Sequence, residues 1–192
     1  MNLFRTLGAA ATVCVASAGL SSCLNAPNYP VEPAIDFKSL TIVHVPATSN
    51  DLARDTLKFA LDFRDGDGDL GLSDADIKTA PWNASTGGVN NRGYSFNYFI
   101  EPYAKGAGSS NVFTPFVTPF GVKGEYDGRF FRLDAADAKP SPLKGTLNYK
   151  LVLNLDGAVY YPGQVLKFDL SIMDRALHQS NRVTTTAVML GR

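Results

Sequence analysis

The apolar side chains of this chain recur with a period of two, not of three to four. Leu57, Phe59, Leu61 and Phe63 alternate with Lys58, Ala60 and Asp62. The same pattern runs through Tyr94–Ile100, Leu147–Leu153 and Leu166–Ile172. Successive side chains of an extended backbone point to opposite faces, so each run is read as a strand with one buried face. Ser39–Val45, Asn111–Val117, Arg129–Leu133 and Arg182–Leu190 read as further, less regular strands. The best helical window, Asp134 to Lys139, is stopped by Pro140 and Pro142. The 17 glycines and 11 prolines fall largely in the breaks between strands, as turns require. The expected fold is all-β. It is an immunoglobulin-like (fibronectin III-like) antiparallel β-sandwich of about seven to nine strands, occupying residues 34–192.

The N-terminus carries Arg5 and then an apolar run from Leu7 to Leu20, the layout of a secretory signal peptide. The run is shorter than the ~20 residues that a spanning helix needs. It ends in Leu20-Ser21-Ser22-Cys23, which resembles the bacterial lipobox. The resemblance implies that residues 1–22 are a lipoprotein signal peptide and that Cys23 becomes a lipidated N-terminus carrying diacylglyceryl and an N-acyl chain such as palmitate. Two or more chains anchor stably where one is marginal. Residues 23–33 then form a flexible tether, extended by Pro27, Pro30 and Pro33. Leu24 follows the cysteine where an aspartate marks inner-membrane retention in some bacteria. The expected location is therefore the outer membrane, on its periplasmic or cell-surface face.

Cysteine usage agrees with this. Cys14 belongs to the signal and Cys23 is consumed by lipid, so the mature domain has no thiol for a disulfide, a nucleophile or a metal. The chain carries 18 Lys plus Arg against 18 Asp plus Glu. Loss of Arg5 with the signal leaves one more anion than cation, which gives no electrostatic case for nucleic acid. No run of Lys and Arg follows Cys23, so the sequence gives no sign of docking to anionic lipid headgroups.

Chemistry concentrates in Asp65-Gly66-Asp67-Gly68-Asp69-Leu70-Gly71-Leu72-Ser73-Asp74-Ala75-Asp76. Alternate carboxylates converge if the backbone curls, and glycine permits the curl. Clustered oxygen donors suit Ca²⁺, which tolerates irregular geometry. Asp65, Asp67 and Asp69 match positions one, three and five of an EF-hand loop, but position six is Leu70, position twelve is a short-armed Asp76, and no helices flank the loop. The readings are a Ca²⁺ loop, a turn neutralised by an arginine, or a plain polar turn. In the first, Asp65, Asp67 and Asp69 are ligands, with Asp74, Asp76 and Asp174 as candidate completers. Asp174 enters because the loops after the second and sixth strands of such a sandwich share one end, where Arg175 is also the candidate counter-charge.

Phe63-Arg64-Asp65-Gly66-Asp67-Gly68-Asp69-Leu70-Gly71-Leu72 and Ile172-Met173-Asp174-Arg175-Ala176-Leu177-His178-Gln179-Ser180-Asn181, with the lipobox and tether, resemble envelope lipoproteins of Bacteroidota-type bacteria. The resemblance implies an immunoglobulin-like sandwich in the envelope and no particular activity.

Catalytic material is thin. The two histidines, His44 and His178, lie in a strand and a hairpin, and Gly93-Tyr94-Ser95-Phe96-Asn97 lacks the last glycine of a nucleophile elbow. The expectation is a non-catalytic binding or structural module, anchored to the membrane and partnered by an envelope protein or a glycan. The alternative is a carbohydrate- or peptide-binding accessory lipoprotein of an outer-membrane uptake system, with Trp82, Tyr160 and Tyr161 as stacking residues.

Overall fold

The computed structural model describes residues 27–106, 108, 111–119, 121–135 and 137–192. The signal peptide, Cys23 and the first tether residues lie outside that range. The described chain is all-β: β1 (Ala34–Val45), β2 (Arg54–Asp65), β3 (Tyr98–Lys105), β4 (Phe113–Pro115), β5 (Leu143–Asn154), β6 (Val165–Ile172), β7 (Val183–Thr184) and β8 (Val188–Met189). Its one helical element is a 3₁₀ turn at Asp76–Lys78. All pairings between strands are antiparallel. One sheet runs β1-β2-β5. The other runs β4-β3-β6-β7, with β8 also on β6. Together they form a β-sandwich, as the alternation required.

The core lies where the inward rows meet. β2 contributes Leu57, Phe59 and Leu61, β5 Leu151 and Leu153, and β6 Leu166, Phe168 and Leu170. Phe59 is 1% exposed and meets Phe168 edge-on, with ring centroids 5.2 Å apart and planes at 86°. Edge-to-face pairing of this kind adds to the energy of burial.

Asn111–Val117 shortens to β4, and three further expected strands differ from the observed ones because those residues bond elsewhere. The strand expected over Tyr94–Ile100 begins only at Tyr98. Before it, the Asn97 side chain donates to the Phe130 carbonyl and accepts its N–H, pinning one loop to another. Arg129–Leu133 joins no sheet, since its backbone serves the acidic loop: the Leu72 N–H donates to Phe130 O and the Leu133 N–H to Leu70 O. Arg182–Leu190 divides into β7 and β8 around Thr185, whose hydroxyl accepts the Phe168 N–H at 3.0 Å.

Replacing Phe59 by alanine is expected to cost about 3–5 kcal/mol, as for other large-to-small core changes. Val152→Thr, at a position 53% exposed, is expected to stay within about 0.5 kcal/mol. Urea unfolding midpoints measure both.

Candidate metal centre

The inward row of β2 does not stop at its apolar residues. It reads Asp55, Leu57, Phe59, Leu61, Phe63, Asp65, so the strand's parity buries a carboxylate at each end, and both are 0% exposed. The two ends are treated differently. Asp55 Oδ1 accepts from His44 Nδ1 at 2.6 Å and Oδ2 from the Gly191 N–H at 2.7 Å. Neither oxygen of Asp65 has a hydrogen-bond partner. The Gly68 N–H leans toward it without reaching bonding geometry.

Past Asp65 the chain folds down onto residues 131–141. Gly68 has φ +75°, and a Cβ there would stand 2.2 Å from the Ser141 carbonyl oxygen. Gly71 has φ +90° and lies equally close to Phe131 O. These are left-handed, side-chain-intolerant positions, and they explain why the glycines are not spaced as in an EF-hand. Buried Leu70 then pairs with Asp174 in an isolated antiparallel bridge. The Arg175 N–H donates to Asp69 O at 3.2 Å, and the Ala176 N–H to Asp69 Oδ2 at 3.0 Å. The β2–β3 loop and the β6–β7 hairpin are thereby joined, the neighbourhood expected of the sandwich topology.

Their junction is a cluster of oxygens. One carboxylate oxygen from each of Asp65, Asp69 and Asp174 lies within 4.8 Å of the others. Asp67 Oδ1 and Asp69 Oδ1 are also buried and without partners. Asp174, 2% exposed, accepts the His178 N–H at 2.7 Å and the His178 ring Nδ1–H at 3.0 Å. Burial, then the fields of Asp67, Asp69 and Asp174, push the Asp65 carboxyl up to about 7. Burial, then Asp174 and Asp67, push Asp69 up to about 6, with Arg175 pulling the other way. Burial raises Asp174 as well, against the His178 bonds, and Asp174 in turn raises His178.

The arginine reading places a counter-charge among these carboxylates. Arg175 is instead committed beside them. Its guanidinium donates to Leu70 O, Gly71 O and both oxygens of Asp134, the last two at 3.0 and 2.8 Å. Arg132 grips the same Asp134, and the two arginines hold that carboxyl far below the usual range. This triad frames the cluster without entering it. Asp134 was invisible in the sequence, where it opened a short helical window.

The outer candidates do not converge. Asp74 is drawn 2.6 Å from Arg129, and Asp76 accepts the Ser73 N–H at 2.7 Å in a local turn. Neither completes the cluster. Tyr160, expected to stack on a ligand, is 6% exposed: its hydroxyl bonds that of Tyr126 and its ring packs on Phe116, 5.6 Å away. Tyr161 is exposed, but it leaves the end of β5 that pairs with Arg54, whereas the half-buried Trp82 sits in the loop leaving Asp65 at the other end. The three rings do not form one platform, because antiparallel pairing sends those loops to opposite ends.

Protonation follows from this arrangement with a definite sign. Folded-state values of about 7 and 6 lie above the ordinary 3.8, so between roughly pH 4 and 7 the folded chain holds more protons than the unfolded chain. Stability of the chelator-stripped protein therefore falls as pH rises through that window, and His178 adds in the same direction. Melting temperatures measured from pH 5 to 7.5 in chelator are expected to decline, and Asp65→Asn to flatten the decline. Searches against protein-family models, curated proteins and solved structures gave no match to this chain, so the reading of the site rests on its geometry.

Proposed function

We propose that this is a lipid-anchored, non-catalytic module of the bacterial outer membrane whose end loops are clamped by Ca²⁺. Asp65, Asp67, Asp69 and Asp174 supply the ligands. The observation that carries the reading is Asp65: a fully buried carboxylate, both oxygens unpartnered, aimed into a group of further acidic oxygens. An uncompensated buried charge is among the costliest arrangements a fold can contain. A hard divalent cation with oxygen ligands removes that cost and accepts the irregular geometry of two unrelated loops. The strand order β1-β2-β5 against β4-β3-β6-β7 supports the immunoglobulin-like form of the sandwich, in which these loops share an end. Leu20-Ser21-Ser22-Cys23 supports the anchor.

The role that follows is binding or structural. A cation held among four carboxylates, with each histidine engaged by an aspartate, ties down a surface. An acid–base pair of separated function is not formed by such a grouping. The β2–β3 loop and β6–β7 hairpin become one rigid end of the domain, suited to contacting another envelope component.

Calcium at a hundredfold excess over Kd is expected to stabilise the protein by about 2.7 kcal/mol. For a domain of this size that raises Tm by about 5–10 °C. Differential scanning fluorimetry with calcium, magnesium and chelator measures it. Asp65→Asn and Asp174→Asn are expected to abolish the shift, while Asp74→Asn, whose partner is Arg129, keeps it. Superimposable curves with calcium and chelator would remove the metal.

A further inference from the structure

The outward face of the β1-β2-β5 sheet is as uneven in charge as the whole chain is balanced. It presents Lys38, Arg54, Lys58, Arg64, Lys144 and Lys150 against Asp36 and Asp62 alone. Lys38 spans Asp62 and Thr146, and Arg64 pairs with Asp36 at 2.9 Å. Arg54, Lys58, Lys144 and Lys150 have no anionic partner among the described residues.

The strand register makes this arrangement costly. Lys58 stands directly opposite Lys150, and Arg64 opposite Lys144. Like charges facing each other across a sheet are destabilising. Beside them runs an apolar row, Val43–Thr56–Val152, whose valines are 43% and 53% exposed. Cations around exposed aliphatic side chains match a surface with anionic groups outside and hydrocarbon beneath.

The tether fixes where that surface lies. Tyr29 lines an open cleft of about 460 Å³ together with Asp62, Arg64, Lys144 and Thr146. A Cβ on Gly66 would stand 2.3 Å from Tyr29 O, so the segment is laid closely against the domain. Tyr29 follows Cys23 by six residues, a reach of at most about 20 Å. The cleft thus sits at the part of the domain nearest an acyl anchor.

We propose that the outward face of the β1-β2-β5 sheet docks on anionic phospholipid, with Arg64 and Lys144 receiving a headgroup phosphate at the tether end. The choice of a membrane as partner rests on the lipid-anchored reading. The domain then lies flat on the bilayer through one sheet and turns the other outward.

The test uses the mature chain, residues 23–192 carrying Cys23→Ser, so that neither the signal segment nor an acyl chain contributes. Cosedimentation is measured with phosphatidylcholine vesicles, with and without phosphatidylglycerol. Phosphatidylglycerol is expected to raise the bound fraction, and added salt to reverse the gain. The double variant Lys58→Thr, Lys150→Thr is expected to lose about thirtyfold in binding to the anionic vesicles, at about one cation's worth per lysine. The same variant is expected to melt higher than its parent, since a repulsive pair is gone, which separates lost docking from misfolding. No response to phosphatidylglycerol, or unchanged binding by the double variant, would overturn the proposal. Labelled palmitate incorporation at Cys23 in the unmodified chain reads the anchor separately, so loss of either reading is told from loss of the other.

Discussion

The parity of β2 is the constraint on which the rest depends. A strand that points Leu57, Phe59, Leu61 and Phe63 into the core has no freedom over where Asp55 and Asp65 go. A slip of one residue would save both carboxylates from burial and expel every apolar side chain of the strand. Burying those four side chains is worth about 1.5–3 kcal/mol each, so the carboxylates are carried inside. The fold then answers each one locally. At one end a histidine and the Gly191 N–H close on Asp55, and at the other two loops close around Asp65 and bring more negative charge with them.

That second response concentrates like charge at one end of the domain. Oxygens up to 4.8 Å apart, if fully charged, repel by about 3–4 kcal/mol per pair at an effective dielectric of ~20. Protons relieve this at low pH, which is what the raised carboxyls of Asp65 and Asp69 express. Arginine relieves it only in part: Arg175 lowers Asp69, but its guanidinium is held by Asp134 and by the carbonyls of Leu70 and Gly71. The guanidinium is better seen as the wall of the site. It fixes the backbone of the acidic loop from outside, through Leu70 O and Gly71 O.

Much of this was legible in the residues. The period of two marked β2, β5 and β6 and the start of β3, and hence the sandwich, while β1 showed a less regular pattern. The alternating aspartates marked the loop, and the topology of a sandwich put Asp174 beside it. Other parts had no local signal. Arg129–Leu133 has strand-like residues, yet its backbone bonds the acidic loop, a pairing between segments far apart in sequence with no period to announce it. Asp74 and Asp76 lay in the right stretch, but a remote arginine and a neighbouring serine took them. Tyr160 read as a loop aromatic, and only the distant Tyr126 and Phe116 make its pocket. The burial of Asp65, by contrast, was written in the alternation: extending the row by one step in each direction gives both aspartates.

Asn181 closes the same end of the molecule in a way that bears on mechanics. Its side chain accepts the Ile35 N–H at 2.8 Å and donates to Ile35 O at 2.9 Å, lashing the start of β1 to the hairpin that carries Asp174. Tension applied to the N-terminal segment is therefore shared: the β1–β2 ladder carries it along one sheet, and Asn181 carries part of it across to the β6–β7 hairpin of the other.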